Sequence, residues 1–375
     1  MEQVSNRKDL KEVAKLFFRL GCVSFGGPAV HIAMMEEEVV KKRKWLTEEH
    51  FLDLVGATNL IPGPNSTEMT MHCGHERAGW RGLVVAGICF IFPAVIITAF
   101  FAWAYQHYGK LPEVTPFIYG IKPAIISVIV SLMINLGRKA MKTTELAVIG
   151  IIAAALTLYG INEIYVLFGS GLIGVLLHLS KKMKDIKSIF PFVFLQATSS
   201  VNALNWKVFW LFLKIGSILY GSGYVLFAFL DNELVIRGLL TKRELIDAIA
   251  VGQFTPGPVF SSATFIGWQI AGLPGAVAAT VGIFLPSFLF VAFLNPLIPK
   301  LRRSKSMAAF LDTVNMVSVA MILAVCYEMG RSAITDWHTI LIAVLGFAVT
   351  MKYKKLNTAY VVLGGAVAGY LLWFI

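Results

Sequence analysis

Charge is scarce in this chain. Of 375 residues only 15% are Asp, Glu, Lys or Arg, against roughly 25% in a soluble globular domain, which excludes an ordinary soluble enzyme. Cysteine is scarce as well. Cys22, Cys73, Cys89 and Cys326 stand in mainly apolar stretches with no CxxC and no His-rich spacing, so they read as packing residues without a disulfide or metal role. There is no GxxxxGK[ST], no HExxH and no GxSxG. ATP hydrolysis, zinc chemistry and a serine nucleophile therefore have no residues to rest on, and neither cofactor nor metal is expected. The first fifteen residues carry Glu2, Arg7, Lys8, Asp9, Lys11, Glu12 and Lys15, so no cleavable signal peptide is expected.

What is abundant is apolar sequence, 57% of the chain with a mean hydropathy of +0.72. It falls in segments of about 20 residues, the length that crosses a hydrocarbon core about 30 Å thick. The fold class is an all-α polytopic membrane protein, with membrane lipid as its surroundings. The net charge of +11 reads first as orientation charge in cytoplasmic loops and second as an anion-attracting surface; no nucleic-acid partner is expected.

Hydropathy predicts thirteen apolar elements, near 13–35, 50–71, 82–105, 116–137, 145–159, 163–179, 189–204, 207–230, 244–266, 275–298, 308–329, 338–351 and 357–375. Three are interrupted by FGGPAV (Phe25 to Val30), IPGPNST (Ile61 to Thr67) and TPGPVFSS (Thr255 to Ser262). Proline lacks a backbone donor and disfavours helix in the residue before it, so these are breaks.

The two halves repeat. Gly21, Gly26 and Glu38 recur 195 residues later as Gly216, Gly221 and Glu233. Thr47, Asp53, Pro62, Gly63 and Pro64 recur 194 later as Thr241, Asp247, Pro256, Gly257 and Pro258, and Gly74, Gly79, Gly82 and Pro93 recur 193 later as Gly267, Gly272, Gly275 and Pro286. So small a drift at identical Gly and Pro marks a duplicated module. The loop at 72–81 is basic while its repeat partner at 268–274 has no charge, and the loop at 296–306 is basic while its partner at 106–115 is not. The modules are therefore expected to be inverted, with a cytoplasmic N-terminus and an external C-terminus. The expected division is a first membrane repeat at 1–187, a linking apolar segment at 188–206 that inverts the topology, and a second repeat at 207–375. The broken elements are expected as re-entrant or interrupted helices.

Inverted repeats with broken helices are the layout of secondary transporters that bind near the midplane. A half-helix starting inside the membrane offers unbonded N–H groups and a positive dipole end, which suits an anion. Pro62, Gly63, Pro64, Asn65, Ser66 and Thr67 form one such start, and Pro256, Gly257, Pro258, Ser261 and Ser262 the other. Gly26, Gly27 and Pro28, with Gly221, Ser222 and Gly223, let backbone approach closely and complete a cradle. Asn59 and Gln253 precede each turn by three residues and are candidate ligand or backbone contacts. The alternative for all these breaks is kinks that ease helix packing.

Ionisable residues near the breaks are costly in a membrane. Glu68 is the candidate for a coupling proton; pairing with His72, four residues on, is the alternative. His31 lines the same cavity or packs in the core, and Lys214 either adds charge to an anion path or snorkels to the interface.

The stretches at 25–69, 78–94, 212–230, 239–267 and 282–290, with FGGP, PGPNST and PGPV among them, resemble the long-chain chromate transporter family over most of residues 10–330. The resemblance implies a multi-pass protein of the prokaryotic inner membrane that exports chromate and confers chromate resistance, with a sulfate-like dianion as alternative or competing substrate. It places the family motifs on Gly26, Gly27, Pro28, Pro62, Gly63, Pro64, Ser66, Thr67, Pro256, Gly257 and Pro258. A homodimer is an allowed assembly. An anion channel and an intramembrane enzyme are the readings set against it.

Overall fold

The computed structural model describes residues 7–180, 204–219, 225–235, 238–294, 304–353 and 356–374, apart from Gly26, Asn59, Lys110 and Pro112. Helix is the only regular secondary structure among the described residues. In the first half these are α1 (Arg7–Val23), α2 (Pro28–Glu36, continued by a π-helical turn Glu37–Lys42), α3 (Glu48–Thr58), α4 (Asn65–Tyr108), α5 (Thr115–Ala140), α6 (Thr144–Leu158) and α7 (Glu163–Ser180). The second half repeats the series as α8 (Leu204–Ile218), α9 (Val225–Leu230, continued by a π-helical turn Asp231–Val235), α10 (Lys242–Phe254), α11 (Ser262–Leu294, preceded by a 3-10 turn Val259–Ser261), α12 (Lys305–Ala333), α13 (Trp337–Lys352) and α14 (Thr358–Trp373).

The expected breaks lie between helices. The element expected at 13–35 divides into α1 and α2, whose first residue is Pro28 after Gly27. The one expected at 50–71 divides at the first Pro-Gly-Pro turn, and the one at 244–266 at the second. The linking segment lies outside the described residues except for its last three, which are already in α8.

One expectation is corrected. The basic stretch 72–81 is helical, and the chain reverses within two residues, Ala78 (φ −143°, ψ 25°) and Gly79 (φ 61°, ψ −152°). The same two-residue reversal recurs at Ala271 (φ −145°, ψ 27°) and Gly272 (φ 61°, ψ −153°). Only glycine enters that backbone region without strain. Thr264 and Thr280 show that the chain folds back, since their hydroxyls lie 2.7 Å apart, whereas a straight helix would separate them by about 24 Å. α4 and α11 are thus helical hairpins, each with a short leg that starts at a Pro-Gly-Pro turn and a long leg. In α4 the legs touch at Gly74 and Gly82, where a Cβ on either would run into the other's carbonyl. Alanine at Gly74 is therefore expected to destabilise the protein by about 1–3 kcal/mol, read as a lower unfolding temperature in detergent. Alanine at Gly169, whose Cβ would meet nothing, is expected to leave it unchanged.

The long legs face outward with apolar stripes. Ile88, Phe92, Ile96 and Phe100 are exposed at every fourth position of α4, and Leu273, Val277, Val281, Leu289 and Phe293 follow the same spacing on α11 with Leu285 between them only partly exposed. Exposed apolar stripes of that length suit lipid. By length and composition α4, α5, α7, α11 with its 3-10 turn, and α12 are long and apolar enough to cross a membrane, and α6, α13 and α14 are shorter apolar helices.

Two groups of helices result. The hairpins α4 and α11 pack on each other and on α1 and α8 respectively, and this inner group carries both Pro-Gly-Pro turns. In the second group the repeats exchange partners: α5 packs against α13 and α14, and α12 against α6 and α7. The pairing is reciprocal: α5 with the repeat partners of α6 and α7, α12 with α6 and α7 themselves.

Candidate functional site

The two Pro-Gly-Pro turns meet the opposite repeat in matching ways. Gly63 N–H donates to the Leu219 carbonyl at the end of α8 (2.6 Å), and Gly257 N–H donates to the Ser24 carbonyl at the end of α1 (2.8 Å). Leu219 and Ser24 are themselves repeat partners, 195 residues apart. Gly63 has φ +138° and Gly257 φ +95°, which admits glycine and little else. Each also packs against the other repeat's long leg, Gly63 on Ser287 and Gly257 on Ala94. Ile61, Pro62, Gly63 and Pro64 are buried, as are Thr255, Pro256, Gly257 and Pro258.

Each turn starts a helix. Pro64 precedes the first residue of α4 and its carbonyl accepts from Thr67 and Glu68 N–H (2.8 and 3.1 Å); Pro258 does the same for Ser261 (2.9 Å). No side chain caps either start. First-turn amides of such helices have no intrahelical acceptor, and their dipole ends carry partial positive charge.

Around the second-repeat turn the side chains are hydroxyls and neutral donors. Thr98, on the long leg of α4, donates to Ser261 (3.2 Å) and Thr255 (3.5 Å). Ser262 donates back to the Val259 carbonyl (2.9 Å). His31 Nε2 donates to the Ser24 carbonyl (3.1 Å) and its ring stands edge-on to Phe90. Ser24 Oγ, His31 Nδ1 and Gln253 Nε2 are buried with no hydrogen-bond partner among the described residues.

The first-repeat turn has a different lining. Glu68 is fully buried, and its carboxyl and the Ser287 hydroxyl both close on Gly63. Neither Glu68 nor Ser287 nor Thr67 finds a side-chain hydrogen bond of normal geometry among the described residues. Glu68 makes no ion pair with His72 there, and His72 Nε2 is unpartnered as well. Buried polar atoms are nearly always bonded, and both turns carry buried polar side-chain atoms without a partner among the described residues. Ser66 is buried beside them, and Asn65 opens the helix.

The remaining sequence candidates are placed as follows. Gly26, Asn59, Gly221, Ser222 and Gly223 lie outside the described residues. Lys214 is ion-paired with Glu233 at 2.6 Å, and its repeat partner Arg19 is paired with Glu38 at 2.6 Å. These two pairs pin the π-helical turns to α8 and α1. Ser287 and Thr98 escaped the sequence reading because their repeat partners are Ala94 and Val291, so no symmetry flagged them.

Fold and site define a multi-pass membrane protein made of two copies of one module whose broken helices meet at its centre. A family model described as "Chromate transporter" matches residues 11–175 and again 206–370, the same 195-residue offset that relates the two copies. The chain belongs to the chromate transporter family. It is 28% identical over 376 residues to the probable chromate transport protein of Synechococcus elongatus, covering 97% of this chain and 96% of that protein. To the chromate transport protein of Cupriavidus metallidurans it is 29% identical over 372 residues, 96% of this chain and 92% of that one. An uncharacterized transporter of Methanocaldococcus jannaschii is 27% identical over 392 residues, 99% and 96% of the two chains. No solved structure matches the chain.

Proposed function

We propose that this chain is a secondary transporter that exports chromate, or a tetrahedral dianion like it, across a prokaryotic inner membrane, and that it performs no catalysis. The modules at 1–187 and 207–375 are inverted copies, and the anion binds between the two Pro-Gly-Pro helix starts. The observation that carries this reading is the reciprocal seating of Gly63 and Gly257 against the opposite repeat, with buried unpartnered polar atoms at both turns. Hydroxyls of Thr98, Ser261 and Ser66, the Gln253 amide and first-turn amides supply donors without adding charge, which lets a dianion enter and leave. Gly27 and Pro28 start α2 beside His31, and His31 adds a second donor only when its ring is protonated. Glu68 holds the coupling proton. Lys214, committed to Glu233, holds the helix and stands outside the path.

An inside-negative potential favours dianion export by about 2.3 kcal/mol per charge per 100 mV. In inside-out vesicles, labelled chromate is therefore expected to accumulate when the lumen is made positive, in a saturable manner that sulfate inhibits. Equal flux without saturation would indicate a channel, and no flux of either anion through folded protein would overturn the reading.

A further inference from the structure

Repeat partners α3 and α10 have different surroundings. α10 is buried at all six residues from Leu245 to Ala250, while α3 exposes Leu52 and Asp53. Ile246 is 2% exposed and its repeat partner Leu52 57%. Six consecutive buried residues mean cover on every side of a helix. For α10 that cover comes from α5, α12 and α14 of the second group and from α11, whereas α3 packs chiefly on α4 and α2.

Two ion pairs fasten α10 to the second group. Lys122 on α5 meets Asp247 at 3.2 Å, the two side chains only 12% and 6% exposed, and Lys242 meets Glu328 on α12 at 3.1 Å. Tyr105, near the end of α4, donates its hydroxyl to the other Asp247 oxygen (2.7 Å). The first repeat cannot build the same pairs. At the positions equivalent to Lys122 and Glu328 stand Asn315 and Asn135, and Glu48 stands at the position of Lys242. The fastening therefore has no counterpart of the same residues in the first repeat.

It also lies beside the candidate site. Thr98, at the second-repeat turn, and Tyr105 are two turns apart on α4, about 10.5 Å. Phe265, four residues beyond Ser261, packs on the Tyr105 ring (5.3 Å). Tyr105 thus joins the wall of the second-repeat turn to the Lys122–Asp247 pair.

We propose that α10 is the shut gate of the anion path, latched through Lys122–Asp247 and Lys242–Glu328, and that the transported dianion opens it by taking the place of Asp247 at Lys122. This rests on the oxyanion reading above. A buried ammonium parts from its carboxylate partner at heavy cost unless another anion replaces it. Gate opening is thereby tied to the presence of substrate.

The test uses the full chain in proteoliposomes, with the four native cysteines replaced and Ile246→Cys as reporter. Molybdate and sulfate are the probes because, unlike chromate, they do not oxidise thiols. Molybdate is expected to raise maleimide labelling at position 246 at least fivefold, with chloride inert. Lys122→Gln is expected to remove that dependence, and Lys122→Arg to keep it. In a separate Lys242→Cys, Glu328→Cys protein, whose replaced pair fastens α10 without meeting the anion, a short reducible bis-methanethiosulfonate linker is expected to stop sulfate uptake until it is reduced. Labelling indifferent to molybdate, although molybdate stabilises the protein against heat, would overturn the gate alone, as would undiminished uptake by linked protein. Absence of any stabilisation by molybdate or sulfate would overturn the oxyanion reading and the gate with it.

Discussion

Alanine at Gly257 is expected to reduce chromate uptake at least about tenfold while the protein still inserts and folds. The added Cβ has two effects. It strains a backbone held at φ +95°, which costs an L-residue about 1–2 kcal/mol, and it sits 2.8 Å from the Ala94 methyl and 3.3 Å from the Gly21 carbonyl, where overpacking costs about 1–3 kcal/mol more. Relief comes from moving the turn away from α1 and α4, which breaks the Gly257 to Ser24 hydrogen bond and swings the first-turn amides out of position. About 1.4 kcal/mol is tenfold in an equilibrium, so even the lower end of this range empties the binding-competent state. Gly160→Ala supplies the control: Gly160 is held at φ +79° in the turn between α6 and α7, and its Cβ would meet nothing within 4 Å. Uptake by that variant is expected to match the parent, and an equal loss in both would attribute the effect to general strain.

Glu68→Gln is expected to weaken the pH dependence of transport between about 5 and 8, measured with sulfate because it stays a dianion across that range whereas chromate protonates. Glutamine keeps the shape of the side chain against Gly63 and Ser287 and cannot release a proton. The repeat partner of Glu68 is Ser262, whose hydroxyl is spent on the Val259 carbonyl, so the second turn has no group to take over the role. Ser287→Ala, which removes the hydroxyl facing Glu68, is expected to shift the pH profile without flattening it. Uptake measured at stepped pH under a fixed potential separates the outcomes, and an unchanged profile in Glu68→Gln would exclude it as the coupling group.

Much of this was legible in the sequence because duplication writes itself twice. Gly21, Gly63 and Gly74 each recur in the second half at places where a side chain cannot fit, and the Pro-Gly-Pro breaks lie where helices had to end. The two reversals were legible as the loops expected at 72–81 and 268–274; their brevity was not, because helix continues to within a residue of Ala78–Gly79 and of Ala271–Gly272 and only the backbone angles there turn the chain. Exchange of α5 and α12 between the repeats depends on contacts more than a hundred residues apart, which periodicity does not encode. Arg19 and Lys214 carried a readable signal, two basic residues 195 apart with Glu38 and Glu233 at the same spacing, and the shared structural role follows from it. Lys122 carried none, since its repeat partner is Asn315 and its own partner, Asp247, lies on a helix of the other repeat.

The measurement that bears most directly on the central claim is anomalous diffraction from crystals of the full chain grown with tungstate, a tetrahedral dianion whose scattering identifies it. The expected result is a peak between Gly63 and Gly257, within hydrogen-bond reach of at least one of Thr98, Ser261 and Ser24, that disappears in Gly257→Ala. Tungsten found only on the basic surface segments, with protein from the same preparation transporting the anion, would contradict the placement of the site.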